Sequence, residues 1–547
     1  MRTSDSQLKE NNPGSERWFV TGVILIILFL TTLPYLYGYF SAPADKQFMG
    51  IMLDVPDHGQ YFSWMRELAH APLAANKLTP EPNRAIFFNL LWWGMGRLGR
   101  ILGLGFAGVF QILRIVSAVL FLLLLYRVCA WFIKDIAMRK TAFLVAALGS
   151  GLGWILVVLK YTLTKGELLF PLDLYVAEPN TFLGILAYPH FIAAALYIFI
   201  FDLMLRGQAA NKLSYSFWAG LVALFLGWQH AYDLVLVYGI LGGYTLVVSL
   251  RDRQISPYLV KSLVIIGIIS WWPALYSVIL TRLDPLWEQV LAQFANAGVY
   301  TPNLFHLPIL MGIGFILVIF NFLWEKPWRL KTSDNNSLFL WSWFIFNFFF
   351  IYIPTDFQIH MLNGWQAPIA ILATRAVYQH IAPKVEQWLH RDYRTFLGIT
   401  LILAVLPTNL YLLAWRFVDL SRHNYPYYLY QQDIAAMKWL EANASPDSIV
   451  LSSETTGAYI PAMTGAYAFL AHWAQTLNYY EKSRMVKNFF SSEYDDASRR
   501  EIISSFSVDY IYYGPAEQAL GEYNPSACSW LKPVFESPKV TVFAVKP

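Results

Sequence analysis

Apolar runs of the length that crosses a bilayer, about 20 residues, recur along the chain up to residue 418 and stop there. They lie near 18 to 40, 106 to 132, 141 to 160, 181 to 205, 214 to 229, 232 to 250, 257 to 280, 303 to 324, 337 to 354, 366 to 383 and 395 to 418, which predicts about eleven transmembrane helices. The first run reads as a retained anchor, because it is long and no small-residue cleavage pattern leads up to Pro34 and the aromatic cluster Tyr35, Tyr37, Tyr39 and Phe40. Residues 85 to 105 carry Arg97 and Arg100 inside an apolar pattern, so they predict an amphipathic helix at the membrane surface rather than a further span. Past residue 419 the texture is that of a soluble domain. Helical spacing covers Asp433 to Asn443 and Ser498 to Phe506, and strand patterns cover Ser448 to Ser453, Val508 to Tyr513 and Val540 to Val545. The expected fold is an all-α polytopic membrane bundle over 1–418, with a long first external loop at 41–105, followed by a small external α/β domain over 419–547.

Charge orients this bundle. Basic residues fall in alternate loops: Arg2, Lys9 and Arg17; Lys134, Arg139 and Lys140; Arg206 and Lys212; Arg251, Arg253 and Lys261; Lys326, Arg329 and Lys331; Lys384, Arg391 and Arg394. Positively charged loops stay in the cytoplasm, so the N-terminus is expected inside and, with an odd number of spans, the C-terminal domain outside. The loops near 161 to 180, 229 to 232 and 354 to 366 are the poorer in Lys and Arg, as that parity requires. With 56% hydrophobic and 14% charged residues the chain needs lipid, and its net charge of +4 is too small and dispersed to mark a nucleic-acid partner. Two cysteines, Cys129 and Cys528, make neither a disulfide framework nor a metal cluster. The absence of disulfides on an external face points to a bacterial inner membrane and a periplasmic domain.

Four polar clusters from distant parts of the sequence fall on the external side. Asp54, Asp57, His58 and Tyr61 follow the first span, and the two carboxylates beside an imidazole and a phenol can supply a general base or a metal ligand. Asp57 can equally cap the helix that follows it. Glu178 precedes the fourth span, with Tyr188 and His190 about two turns into it, where a polar group normally faces a cavity or a neighbouring helix. His230 and Asp233 sit at a tight turn between the fifth and sixth spans, where Asp233 can also serve as a cap, and Asp356, Gln358, His360 and Asn363 follow the ninth. Their shared face predicts one site.

This arrangement resembles the GT-C class of integral-membrane glycosyltransferases, which includes protein O-mannosyltransferases and the aminoarabinose transferases of lipid A. The likeness spans nearly the whole chain: many spans, an acidic first external loop with an amphipathic helix, and an external α/β domain. It implies a donor sugar carried on a polyprenyl phosphate, with Asp57, or else Asp54, as base or acceptor-orienting group and Glu178 as the second acidic residue. It also implies a possible divalent metal, Mg or Mn, at Asp57 and Glu178, although no strong metal motif is present. In the C-terminal domain the series Tyr459, Ile460, Pro461, Thr464, Gly465, His472, Thr476 and Lys482 is similar to a pattern of bacterial relatives, except that Ala471 stands where a glycine precedes the histidine. His472 and Lys482 have the chemistry to grip a phosphate, while His472 can alternatively pack on Trp473.

The expected function is transfer of a sugar from a polyprenyl-phosphate donor to an acceptor hydroxyl of unspecified class, with His58, Tyr61, His190, His230, Asp233, His360, His472 and Lys482 binding substrate. Aromatic residues, 17% of the chain, suit membrane interfaces and sugar stacking. Two other classes share these features: a flippase for a lipid-linked sugar, which usually shows paired repeats of broken helices that this sequence does not display, and a noncatalytic scaffold with an external binding domain.

Overall fold

A computed structural model describes residues 13–293, 300–330 and 333–546. Arg2, Lys9 and Lys331, three of the orienting basic residues, lie outside the described residues.

The chain is a multi-pass membrane protein. Five helices are long and apolar enough to cross a bilayer: Gly14–Phe40, Phe106–Phe132, Pro189–Ala210, Asp233–Asp252 and Leu304–Glu325. Three bent pairs, Ile136–Leu148 with Gly153–Thr162, Pro257–Ser270 with Trp272–Leu283, and Arg394–Val405 with Pro407–Ser421, raise the count to eight if each pair is one span. The other expected spans fall short for local reasons. Ser214–Gln229 and Asn335–Phe350 have 16 residues each, about 24 Å at the helical rise, less than the hydrocarbon core. The expected 366–383 span starts as a helix at Gln366–Arg375 and passes into a π-helical turn at Ala376–Ile381.

The surface helix expected within 85–105 is Leu90–Leu102, capped by Asn89, whose side chain accepts from the Leu91 and Trp92 amides. It packs on Val55–His70, the helix of the first loop. That helix in turn lies against the C-terminal domain so closely that a Cβ on Gly59 would sit 2.1 Å from the Ala458 carbonyl oxygen. Glycine is required there.

The C-terminal domain holds a five-stranded mixed sheet. Its strands follow two earlier ones, β1 (Lys46–Phe48) and β2 (Tyr428–Tyr430), and are β3 (Ile449–Leu451), β4 (Tyr467–Ala468), β5 (Tyr510–Tyr513), β6 (Leu531–Glu536) and β7 (Thr541–Val545). The order is β4-β3-β5-β7-β6, with β3 parallel to β4 and β5, and β7 antiparallel to β5 and β6. The two expected helices appear as Gln431–Asn443 and Asp496–Ser505. β1 and β2 pair antiparallel, Gln47 opposite Leu429, and so tie the first loop to the start of the domain. Trp64, Met65 and Leu68 of the loop share one buried core with Met437, Leu440 and Tyr459 of the domain. The loop and the domain therefore set each other's position.

Several of the basic loop residues are held in pairs. Arg139 pairs with Glu16 at 2.8 Å, Arg127 and Arg206 both hold the buried Asp202, and Arg251 donates to the Ser333 carbonyl. The polar clusters of Asp57, Glu178, His230 and His360 gather around one cavity.

Candidate active site

The cavity measures about 600 Å³ and lies between the first loop, the helix bundle and the C-terminal domain. Of the residues singled out in the sequence, Asp54, Asp57, Tyr61, Glu178, His190, His230, His360 and His472 line it. His58, Asp233 and Lys482 do not.

Asp57 sits in the first turn of Val55–His70, and Asp54 is the residue just before that helix, in the left-handed region at φ 47°. Asp tolerates this conformation better than most residues. His472 reaches across from the C-terminal domain and places Nε2 2.7 Å from Asp57 Oδ1. The amides of Ala474 and Gln475 both donate to His472 Nδ1, at 2.9 and 3.2 Å. A nitrogen that accepts carries no proton, so the ring is the neutral tautomer with its hydrogen on Nε2, donating to Asp57. Burial pushes the Asp57 carboxyl up, but the hydrogen bond and electrostatic pull of His472, with the Asp54 hydrogen bond and the nearby His58 imidazole, outweigh it and lower the group to about 2. Burial and the neighbouring Asp57 charge push Asp54 the other way, well above the usual carboxylate range. The two neighbouring carboxyls are therefore shifted in opposite directions, Asp57 down and Asp54 up. The geometry gives His472 a different task from the phosphate grip expected of it.

Glu178 is buried and meets His360, Oε1 to Nδ1, at 2.7 Å. His360 stacks on Tyr232, ring centroids 5.0 Å apart. The Tyr232 hydroxyl bonds His230 Nε2, whose Nδ1 meets Asp233 Oδ2 at 2.9 Å. Asp233 is fully buried and also accepts from Asn363 Nδ2 at 3.2 Å, so it orients His230 from behind rather than facing the cavity. Tyr61 lies 3.3 Å from His190 Nε2 and stacks on Trp92.

His58 turns inward, its ring nitrogens 2.7 and 3.0 Å from the carbonyls of Asp54 and Ala187. It joins the first loop to the membrane helices instead of lining the site. Lys482 is buried in an ion pair with Glu81 at 2.5 Å and also donates to the Leu477 carbonyl. That pair pins the C-terminal domain to the first loop and leaves the ammonium no access to the cavity. Asp57 and Glu178 each have one oxygen on an imidazole, and among the described residues no group of three or more His, Cys, Asp or Glu could hold a metal ion.

The aromatic wall was not resolved as a site in the sequence. Trp64, Phe87 and Trp287 stack in series, 4.2 and 5.2 Å between centroids, on one side of the cavity, with Trp92, Trp228 and Tyr276 nearby. Its only sequence signal is the density of Trp around 64, 92 and 228.

No protein-family model and no curated protein matches the sequence. Solved structures do. Arabinofuranosyltransferase AftD from Mycobacteria superposes at a TM-score of 0.57 with 13% identity, over 97% of this chain and 40% of that one. The archaeal oligosaccharyltransferase AglB from Archaeoglobus fulgidus, in complex with an inhibitory peptide and a dolichol-phosphate, gives 0.50 and 14% over 97% and 74%. The chain has the GT-C fold. At these identities the likeness speaks to architecture.

Proposed function

We propose that this protein is a membrane glycosyltransferase that moves a sugar from a polyprenyl-phosphate donor to an acceptor hydroxyl, with Asp57 as the group that receives the hydroxyl proton. The acceptor oxygen forms a bond to the anomeric carbon, the bond from that carbon to the phosphate oxygen breaks, and the electron pair leaves on the polyprenyl phosphate. A carboxylate held at about 2 is a weak base. It orients the hydroxyl first and takes its proton late, when the oxygen has become acidic by bonding to carbon. Glu178 and His360 face the same space, and Asp54, its carboxyl pushed up by burial and by the Asp57 charge, lies beside Asp57.

The observation that carries this reading is the Asp57–His472 contact: an ionised carboxylate at a large aromatic-walled cavity, fixed by a histidine that the backbone keeps neutral. Stacked Trp and Phe rings suit sugar faces and prenyl chains. Among the described residues no Lys or Arg lines the cavity, so His190, His230 and His360 are the groups left to meet the donor phosphate. The positive-inside pattern supports a cytoplasmic N-terminus, and with it a cavity on the outer face of the plasma membrane. The decisive test is purified full-length protein with a panel of polyprenyl-phosphate sugars, scored for free polyprenyl phosphate. Turnover that persists in Asp57→Asn sinks the assignment.

The bent helix pairs favour one competing reading, because transporters build substrate sites from broken helices. A flippase would move labelled lipid-linked sugar across proteoliposomes and make no glycoside.

A further inference from the structure

Away from the large cavity, three interruptions of membrane helices meet. Ile136–Leu148 bends by 48° into Gly153–Thr162, Arg394–Val405 bends by 42° into Pro407–Ser421, and Leu307–Glu325 is unwound at Gly312, φ 72° and ψ −165°. A Cβ on Gly312 would lie 2.4 Å from the Ser150 carbonyl oxygen, so glycine serves both the backbone angle and the close approach. The breaks are stitched together. Ser150 donates from both N and Oγ to the Val405 carbonyl at 2.9 and 2.6 Å, Leu152 N donates to the Ile309 carbonyl at 2.7 Å, and Thr408 Oγ1 donates to the Gly151 carbonyl at 3.0 Å.

Asp173, on the loop between Gly153–Thr162 and Thr181–Ala187, enters this junction and is only 2% exposed. The Gly153 amide donates to its Oδ2 at 2.9 Å, whereas Oδ1 has no hydrogen-bond partner, and among the described residues no Lys, Arg or His forms an ion pair with it. With Ser150, Asn180 and Gln366 it lines a cavity of about 30 Å³. Gln366 is 8% exposed; its amide nitrogen donates to Thr181 Oγ1 at 3.1 Å and its Oε1 has no partner. Ser150 has already given its proton to Val405, and Asn180 Nδ2 donates to Asn409. The lining thus presents oxygen lone pairs.

We propose that this junction binds one small monovalent cation, of the size of sodium, between the side-chain oxygens of Asp173 and Gln366. The volume admits one water-sized particle or little more. A single carboxylate among neutral oxygens balances one positive charge, and a donor set of oxygen alone selects a hard ion. Helices unwound in a membrane expose backbone carbonyls that suit such ions. Burial lifts the Asp173 carboxyl to about 6, so near neutrality it is largely ionised and needs a counter-charge.

The position gives this ion a structural role. Val176 lines both cavities, the loop of Asp173 continues to Glu178, and Gln366 opens the helix that follows His360. A cation joining Asp173 to Gln366 clamps together the two segments whose Glu178–His360 pair faces the large cavity.

The test is the thermal midpoint of the purified full chain as NaCl replaces choline chloride at constant ionic strength. Sodium should raise the midpoint in proportion to the logarithm of its concentration once above the dissociation constant, by roughly 1 °C for each tenfold increase, and cesium should not. Asp173→Asn and Gln366→Leu should each abolish the response. A wild-type midpoint identical in sodium and choline assigns the cavity to water and overturns the proposal, as does an unchanged sodium response in Gln366→Leu. If Asp173→Asn does not fold, the wild-type titration and Gln366→Leu still decide. Because the readout is stability, the result is independent of whether sugar transfer is detected.

Discussion

Asp57 and Asp173 are both carboxylates in loops that dip into the protein, yet their surroundings push them in opposite directions. Asp57 has the His472 imidazole donating to it and Asp54 beside it, and its carboxyl is lowered to about 2. Asp173 has the Gly153 amide and the Thr408 hydroxyl as its hydrogen-bonding neighbours and, among the described residues, no ion-pair partner, and burial lifts it to about 6. Burial acts on both with the same sign. The difference lies in the donors, and so the fold spends its fixed hydrogen bonds where a charge must face substrate and leaves the other carboxylate open to a counter-ion.

The largest way to break this contrast is Asp57→Asn, which should lower sugar transfer by roughly 10²–10⁴-fold with the protein still folded, measured as free polyprenyl phosphate released. Next comes His472→Gln. Loss of the Nε2 donor should let the Asp57 pKa rise from about 2 toward the ordinary carboxylate range, so the acid limb of the pH–rate profile moves to higher pH. The same lowered pKa makes Asp57 a source of stability that is fully present above the unfolded value near 4 and lost as pH falls toward 2. That acid-side loss should be smaller in His472→Gln. Asp173 has the reverse sign. Its raised pKa means the folded state binds the extra proton between about 4 and 6, so in choline buffer it should cost stability as pH rises through that window. Comparing urea midpoints of wild type and Asp173→Asn from pH 4 to pH 7 isolates this slope. Lys482→Met should have the smallest effect on chemistry: it breaks the pair with Glu81 and should destabilise by about 1–3 kcal/mol, while the KM for donor stays unchanged because Lys482 does not line the cavity.

Much of this layout can be read in the sequence. Apolar run length located the membrane helices, and the amphipathic spacing around Arg97 and Arg100 located the surface helix. Charge alternation separated the loops that carry Asp57, Glu178, His230 and His360 from the basic ones. What composition cannot supply is the partner of a side chain. His472 and Lys482 look alike as basic groups in one segment, but one donates to Asp57 and the other is locked to Glu81, and only the packing of the C-terminal domain on the first loop decides which. By helix length the count is five to eight rather than eleven, because two expected spans form helices of 16 residues and a third passes into a π-helical turn. Asp173 drew no notice as a lone loop carboxylate. Its burial comes from three helix breaks that meet in space and share no local motif.

The pairing of β1 with β2 joins Gln47 to Leu429, and its consequence falls on synthesis. The first loop emerges early from the ribosome, but its strand, its core and the donor that fixes Asp57 belong to the last quarter of the chain. Contacts of such sequence separation close late. A chain that stops short of this segment can therefore insert its helices and still lack the His472 donor that fixes Asp57.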